Sequence, residues 1–208
     1  MSTCSEQVVR LDWRDLRRAV DVMVRAYEHD PMMEYLFPPE RRNMRTVRWF
    51  VATGIKYGLH YGDVYTTSGV NGVAIWLPPD HPEVKLAGML RSGMIWLPIR
   101  LGRKVFRRLM HCLDITYRVH SEVMTGPHWY LYELAVEPDC QGKGIGSALI
   151  APVIASADSE GLPCYLETFT DEGIVFYRKH GFEVVREYAS RKGGPVCRYM
   201  VREPKPRA

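Results

Sequence analysis

The 208-residue sequence has no apolar run that reaches the roughly 18 residues a membrane-spanning helix needs. Its opening, MSTCSEQVVRLDW, has no apolar core like that of a secretory signal peptide. From these two absences we expect a cytoplasmic protein with no membrane partner.

Cysteine is scarce and shows no pattern. The five cysteines are odd in number, and no two of them have the CxxC spacing that is typical of zinc sites and redox motifs. The pattern therefore predicts neither a disulfide framework nor a metal site, and it favours a reducing compartment.

A large excess of one charge is also missing. There are 28 Lys and Arg against 24 Asp and Glu, a formal net charge of +4, and the basic residues are scattered along the chain. This distribution predicts no nucleic-acid partner, while the mild positive charge suits an anionic small ligand. With 46% hydrophobic and 25% charged residues, the composition is that of a globular protein, and the length predicts one domain over residues 1–208.

The chain does contain a regular succession of helix and strand patterns. Helical spacing of apolar residues covers 13–29 and about 40–60, and strand-like stretches cover 7–11, 62–67 and 72–77. From about 82 to 123 the pattern is again helical, and Pro98 is predicted to divide this region into two helices. A basic run is predicted to be the solvated face of the second helix, with an anion or membrane site as the alternative: Arg100, Arg103, Lys104, Arg107 and Arg108.

The most informative stretch begins with a predicted buried strand, Trp129–Val136, in which period-two alternation puts Tyr132 and Leu134 on one face. A glycine-rich turn, residues 141–146, then opens into a predicted helix from Ile145. Glycine allows positive φ and leaves the backbone accessible to a ligand. Since the first amides of a helix lack intrahelical partners and the helix dipole favours an anion, this turn predicts a phosphate or pyrophosphate site.

Two common phosphate motifs do not fit this turn. It lacks the glycine spacing of a Walker A loop, and GxGxG is a poor match to the dinucleotide fingerprint GxGxxG. Gln141, Gly144 and Gly146 instead spell QxxGxG, which resembles the pyrophosphate-binding motif of the GNAT superfamily of acyl-CoA-dependent N-acyltransferases. Downstream, FYRKHGF at 176–182 is similar to that family's F-Y-x-x-x-G-F signature, so the resemblance covers residues 129–188.

The resemblance implies an α+β (α/β) fold, a GNAT-type domain with a central mixed, mostly antiparallel sheet of six to seven strands flanked by helices. The helical region at about 82–123 would then be an insertion between strands three and four. Acetyl-CoA is the implied co-substrate. The residues expected to contact it are Leu134, Ala135, Val136, Gln141, Gly142, Lys143, Gly144, Ile145, Gly146 and Ser147.

Candidate catalytic residues follow from the same resemblance. Tyr177 matches the family's tyrosine that protonates the leaving thiolate, and a backbone amide near residues 134–136 would polarise the carbonyl if the strand is splayed there. Glu167 closes a predicted strand at the acceptor opening and is a candidate base. His128 has a suitable intrinsic pKa for a base but also fits an ordinary strand start, and Cys164 lacks a local activating residue for a role as nucleophile.

One position departs from the family pattern. Gly173 stands where many relatives carry an asparagine that reaches the cofactor, which puts one cofactor contact in doubt.

The sequence therefore predicts an acetyl-CoA-dependent N-acetyltransferase acting on the primary amine of a small molecule, such as a xenobiotic or antibiotic. The order of elements resembles the branch that includes puromycin-type acetyltransferases. Two alternatives stay open, a non-catalytic acyl-CoA-binding or regulatory module and a protein or peptide acetyltransferase. A monomer and a homodimer are both compatible with the sequence.

Overall fold

A seven-stranded sheet runs through the computed structural model, which describes residues 7–80, 86–189 and 193–205, without the side chain of Arg41. The strands in chain order are β1 (Val8–Arg10), β2 (Asp63–Thr67), β3 (Gly72–Leu77), β4 (Trp129–Val136), β5 (Cys164–Thr168), β6 (Glu183–Ala189) and β7 (Val196–Arg202). Their spatial order is β1-β2-β3-β4-β5-β7-β6, and only the β4–β5 pair is parallel. The expected mixed, mostly antiparallel sheet is confirmed.

The helices are α1 (Leu16–Ala26), α2 (Pro31–Leu36), α3 (Met44–Tyr61), α4 (Leu86–Ser92), α5 (Leu97–Val123), α6 (Ile145–Glu160) and α7 (Asp171–Lys179). Because α4 and α5 lie between β3 and β4 in the chain, the predicted helical insertion is confirmed. Its expected start near residue 82 lies outside the described residues. In the described part of the chain, no helix combines the length and apolarity needed to cross a bilayer.

The two faces of the sheet bury separate apolar clusters. Strand β3, buried on both faces, shows the division, since Val73 and Ile75 belong to the cluster under α1, α3 and α5, whereas Ala74 and Trp76 belong to the cluster under α6 and α7. The alternation of side chains along a strand produces this split. The sheet is therefore a middle layer between two sets of helices.

Capping residues explain where the observed helix ends differ from the predicted ones. The first predicted helix, 13–29, begins with a single 3₁₀ turn capped by Asp12, and the α-helix itself covers Leu16–Ala26. The second begins at Met44 instead of about residue 40, because the Asn43 side chain accepts hydrogen bonds from two amides of the first helical turn.

The division of the insertion was predicted at the wrong residue. The chain breaks at Gly93, whose φ of 88° is left-handed, and Pro98 lies in the first turn of α5, where its missing N–H is not needed. A second glycine, Gly102, has φ 70° and kinks α5 after its first turn.

The basic run on α5 is solvated only in part. Arg103, Lys104 and Arg107 are exposed as expected. Arg108 is half-buried, donates to the Tyr35 carbonyl oxygen over 2.7 Å and lies over that residue's ring. This arginine thus ties α5 to α2, and its predicted role as a purely solvated residue is wrong.

Candidate active site

A β-bulge in the middle of β4 changes which way its residues face. Ile75 of β3 pairs with Glu133 and the next residue, Trp76, pairs with Leu131, so Tyr132 is an extra residue. Tyr132 packs with the cluster under α1 and α3, whereas Leu134 packs with the cluster under α6. The prediction that these two residues share a face is wrong, because an inserted residue reverses the alternation beyond it.

Beyond the bulge, β4 and β5 separate. They are paired only over Trp129–Leu131 and Cys164–Leu166. Each then continues with its other neighbour, β4 with β3 as far as Val136 and β5 with β7 as far as Thr168. A wedge therefore opens in the sheet, as the splayed strand expected from the sequence requires, and the backbone of residues 134–136 borders it.

The glycine-rich turn ends beside this wedge and is open to a ligand. Gly142 and Gly144 have φ of 72° and 85°, and no heavy atom lies within 4 Å of where a Cβ would stand at either position. Gly144 is the N-cap of α6, and no side chain caps the helix there. No side chain therefore crowds the turn or caps the first amides of α6, which fits a pyrophosphate site.

Neighbouring side chains hold the turn in place. The Gln141 amide nitrogen donates to the Val136 carbonyl oxygen over 3.2 Å, and Lys143 Nζ donates to the Asp139 carbonyl oxygen over 2.8 Å. Arg25 of α1 makes two hydrogen bonds to the Glu137 carboxylate, over 2.7 and 2.6 Å, which anchor the end of β4. A bidentate pair of this kind fixes orientation as well as distance.

The two sequence motifs that carry the family resemblance meet at the start of α6. A Cβ on Gly146 would lie 3.2 Å from the Phe176 ring, so the absence of a side chain allows the close packing of α6 on α7. Ser147 Oγ lies 2.9 Å from Nε2 of His180, just past the end of α7.

Packing also explains why Gly173 departs from the family pattern. A Cβ there would stand 2.3 Å from Thr168 Oγ1 and 2.9 Å from Thr170 Oγ1, and Thr168 is buried. Asparagine is therefore excluded at this position unless both threonines move.

Tyr177 lies on α7 and is 9% exposed, packed against Phe176 and Phe182. Burial raises the pKa of its hydroxyl, and the nearby Glu133 charge raises the pKa further. The phenol is therefore held protonated near neutral pH, as a proton donor requires.

Glu167 lies on β5 beside the wedge. Its Oε2 accepts a hydrogen bond of 2.7 Å from the Tyr130 hydroxyl, and its Oε1 has no hydrogen-bond partner among the described residues. Burial raises the pKa of this carboxyl to about 7, although the Tyr130 hydrogen bond and the neighbouring Tyr165 hydroxyl oppose the rise. A carboxyl that titrates near neutral pH with one free oxygen can accept a proton.

A second carboxylate, Glu133, was missed by the sequence reasoning. It follows the extra residue of the bulge, and its Oε2 accepts a hydrogen bond of 2.6 Å from the hydroxyl of Tyr27 at the end of α1. Burial raises its pKa to about 7, and the charges of Asp30 and Glu167 add to the rise. The available signal was an acidic residue inside an otherwise apolar strand.

The structure does not favour the other two candidates. His128 is buried with both ring nitrogens engaged, Nδ1 with the Gly126 carbonyl oxygen and Nε2 with His120, each at 2.7 Å. The Cys164 side chain is fully buried, and desolvation raises the pKa of its thiol to about 12, which disfavours a nucleophilic thiolate. Among the described residues, no group of three or more His, Cys, Asp or Glu is arranged to hold a metal ion.

Comparison with known proteins identifies this arrangement. Residues 102–184 match the family model of the acetyltransferase (GNAT) domain. The matched residues form part of a GNAT acetyltransferase domain. It is 28% identical over 205 residues to an uncharacterised N-acetyltransferase of Schizosaccharomyces pombe, a match that covers 94% of this chain and 82% of the relative.

Solved structures agree in fold. A Corynebacterium glutamicum structure described as histone acetyltransferase HPA2 and related acetyltransferase superposes with a TM-score of 0.68 at 23% identity. The superposition covers 98% of this chain and 99% of the other. A mosquito arylalkylamine N-acetyltransferase-like protein superposes with a TM-score of 0.62 at 15% identity, covering 96% and 100%. The protein is an acyltransferase enzyme of GNAT type, and these neighbours differ in the acceptors that their names record.

The raised pKa of Glu167 predicts how stability depends on pH. Because the folded pKa lies near 7 and the ordinary value near 4.5, the folded protein retains a proton that the unfolded chain releases. The resulting stabilisation is complete below about pH 4.5 and is lost as the pH rises through about 7. The measurement is the unfolding free energy from urea titrations at about pH 4.5 and about pH 7. We expect this free energy to fall less between the two pH values in Glu167→Gln, which cannot ionise, than in the wild type. Glu183→Gln, at an exposed site, is the control, and equal pH dependence of all three proteins would contradict the assignment.

Proposed function

We propose that this protein transfers the acetyl group of acetyl-CoA to the primary amine of a small molecule, such as a xenobiotic or antibiotic, by direct attack. The observation that carries the proposal is the wedge between β4 and β5. The open glycine-rich turn, residues 141–146, which we call the glycine cradle, lies at one end of the wedge, and Glu133, Glu167 and Tyr177 lie along it. We further propose that residues 1–208 act as one such domain.

The cradle fits the pyrophosphate of the co-substrate. Residues 141–147 would hold it through their backbone amides, and the Lys143 ammonium lies on the same turn. The backbone of Leu134, Ala135 and Val136, which β5 leaves unpaired, would bind the pantetheine arm as an added strand does. An amide on that edge would also donate to the carbonyl oxygen as negative charge develops there.

Each proton in the reaction has a candidate carrier. An alkylamine is protonated near neutral pH, and we propose that the free Oε1 of Glu167 takes one proton from it, with Glu133 as the second candidate base. The neutral nitrogen attacks the thioester carbon, a C–N bond forms and the C–S bond breaks. Tyr177 gives its hydroxyl proton to the thiolate, and the phenolate that this leaves takes the second proton from the attacking nitrogen, which becomes the neutral amide.

Charge in the wedge favours a cationic acceptor. The charges of Asp30 and Glu167 raise the pKa of Glu133, and no arginine or lysine is among the groups that shift the pKa of either Glu133 or Glu167. An ammonium group would be attracted to such a site. The arylalkylamine acceptor in the name of the mosquito structure is of this chemical class, which supports the proposal.

Removing the Tyr177 hydroxyl tests whether the protein is a catalyst of this kind. We expect Tyr177→Phe to lower kcat by about a hundredfold while the Kd for acetyl-CoA changes little, because the hydroxyl acts on the leaving thiolate. The measurement is release of the CoA thiol with a panel of arylalkylamines, polyamines and short peptides.

Tyr65→Phe, a half-buried tyrosine of β2, is the matched control. Turnover of peptides alone would contradict the small-molecule acceptor while leaving acetyl transfer intact. Acetyl-CoA binding with no turnover of any amine would favour the non-catalytic module.

The pH profile separates the two candidate bases. With Glu167 as the base, kcat/KM of the wild type should rise with pH and level off above about pH 7, and Glu167→Gln should lose about a hundredfold together with that inflection. Glu133→Gln should keep the inflection and lose less. If Glu133→Gln abolishes the inflection and Glu167→Gln retains it, Glu133 is the base and the assignment to Glu167 is wrong.

A further inference from the structure

The start of the helical insertion exposes large apolar side chains that nothing in the described chain covers. Within fourteen residues, 86–99, five such side chains are 38–73% exposed: Leu86, Leu90, Ile95, Trp96 and Ile99. We call them the apolar patch. An exposed group of this size is unusual for a folded protein unless it binds something.

Helix geometry puts this patch on the side away from the core. In α4, Gly88 and Ser92 are buried, and a Cβ on Gly88 would stand 2.3 Å from the Tyr57 ring of α3. At 100° per residue, Leu86 and Leu90 lie on the opposite side of that helix. The first turn of α5 repeats the arrangement, since Leu97 and Leu101 are buried and Ile99, 73% exposed, lies between them.

The same segment carries only positive charge. Between residues 86 and 113 there is no Asp or Glu, and there are six basic residues: Arg91, Arg100, Arg103, Lys104, Arg107 and Arg108. Five of them are exposed and make no ion pair within the described chain: Arg91, Arg100, Arg103, Lys104 and Arg107. The segment that carries the apolar patch thus also carries exposed cations that lack carboxylate partners among the described residues.

We propose that this segment binds peripherally to the surface of an anionic lipid bilayer. Helices that bind at a membrane interface carry exposed Trp, Leu and Ile together with Lys and Arg, as α4 and α5 do, and neither of these helices is apolar enough to span a bilayer. The apolar side chains enter the boundary between headgroups and acyl chains, and the cations contact acidic headgroups.

Charge argues against the other occupants of such a surface. A second copy of this chain, related by a two-fold axis, would bring two sets of six cations together with no acidic residue from either segment. A nucleic acid would use the cations but would leave the aliphatic side chains Leu86, Leu90 and Ile99 without a partner. An anionic bilayer satisfies both halves of the surface.

The location of the segment is compatible with the enzyme's activity. Helix α4 packs on α3, and Arg100 lies over the Trp49 ring of α3, whereas the glycine cradle and the wedge are formed by β4, β5, α6 and α7. Attachment to a bilayer through the patch therefore involves none of the residues proposed to bind acetyl-CoA. The expectation of no membrane partner rested on the lack of a spanning segment and a signal peptide, and the proposed binding to a membrane surface needs neither.

Vesicle sedimentation with the whole chain tests this inference. We expect the wild type to bind vesicles of phosphatidylcholine mixed with phosphatidylglycerol and to bind pure phosphatidylcholine weakly, with affinity falling as salt is raised. Reversing Arg103 and Lys104 together to Glu should weaken binding about tenfold or more, and Ile99→Ser should weaken it by removing an inserted side chain. Emission from Trp96 should shift to the blue on anionic vesicles, a shift that Trp96→Phe removes.

Matched controls separate the patch from general effects of charge and surface. Arg17→Glu combined with Arg45→Glu reverses two exposed cations elsewhere, and Val185→Ser changes an exposed apolar residue on β6. Equal losses in these controls, or no vesicle binding by the wild type, would overturn the proposal. Two other outcomes, each without vesicle binding, would also overturn the proposal. If Ile99→Ser abolishes dimerisation, the occupant is a second copy of the chain, and if reversing Arg103 and Lys104 abolishes nucleic-acid binding, the occupant is a nucleic acid.

Discussion

The functional part of this structure depends on the loss of pairing between β4 and β5 after three residues. If both strands simply ended where their pairing ends, no unpaired strand edge would be exposed. Here β4 stays paired with β3 and β5 stays paired with β7 while β4 and β5 diverge from each other. The bulge at Tyr132 accompanies the divergence, since an extra residue bends its strand and increases the local twist. The unpaired edges of β4 and β5, the glycine cradle and the carboxylates of Glu133 and Glu167 all lie along this wedge.

Placing two carboxylates in the wedge has an electrostatic cost that shapes their chemistry. Desolvation disfavours the ionised form of both carboxyls, and the Glu167 charge adds to this effect at Glu133, so the pKa of each rises to about 7. Single hydrogen bonds from Tyr27 and Tyr130 recover part of this cost without neutralising the charge. Groups that change protonation near neutral pH are suited to proton transfer, and an arginine partner would have lowered their pKa and removed that property.

The parts of this arrangement that could be predicted are those that depend only on residues close together in the sequence. Trp129–Val136 and Gly72–Leu77 were predicted with their observed bounds because aromatic and branched residues stop at Pro138 and Pro78. The glycine turn at the start of α6 was recognisable because positive φ at two positions demands a residue without a side chain. Gly181 lies just after α7 with a φ of 86°, a conformation that favours a residue without a side chain.

What escaped prediction depends on neighbours distant in sequence. The bulge reflects a register shift opposite Ile75 and Trp76, which alternation within β4 alone does not reveal. Glu133 becomes a functional candidate only when Tyr27, 106 residues away, reaches it. The constraint on Gly173 comes from Thr168 on another element, and Arg108 leaves the solvent because the Tyr35 carbonyl lies near it. Each of these is a tertiary contact that overrides a local preference.

Isothermal titration with acetyl-CoA tests the central claim, that the cradle at the start of α6 holds the co-substrate. The wild type should bind, and Gly144→Glu should abolish binding, because a carboxylate would enter the empty space and repel the pyrophosphate. Gly193→Glu is the matched control, since Gly193 also has a positive φ, at 71°, and no atom within 4 Å of a Cβ position. Binding retained by Gly193→Glu and lost by Gly144→Glu would agree with the account. Equal binding by the wild type and Gly144→Glu, or no binding by a folded wild type, would contradict it.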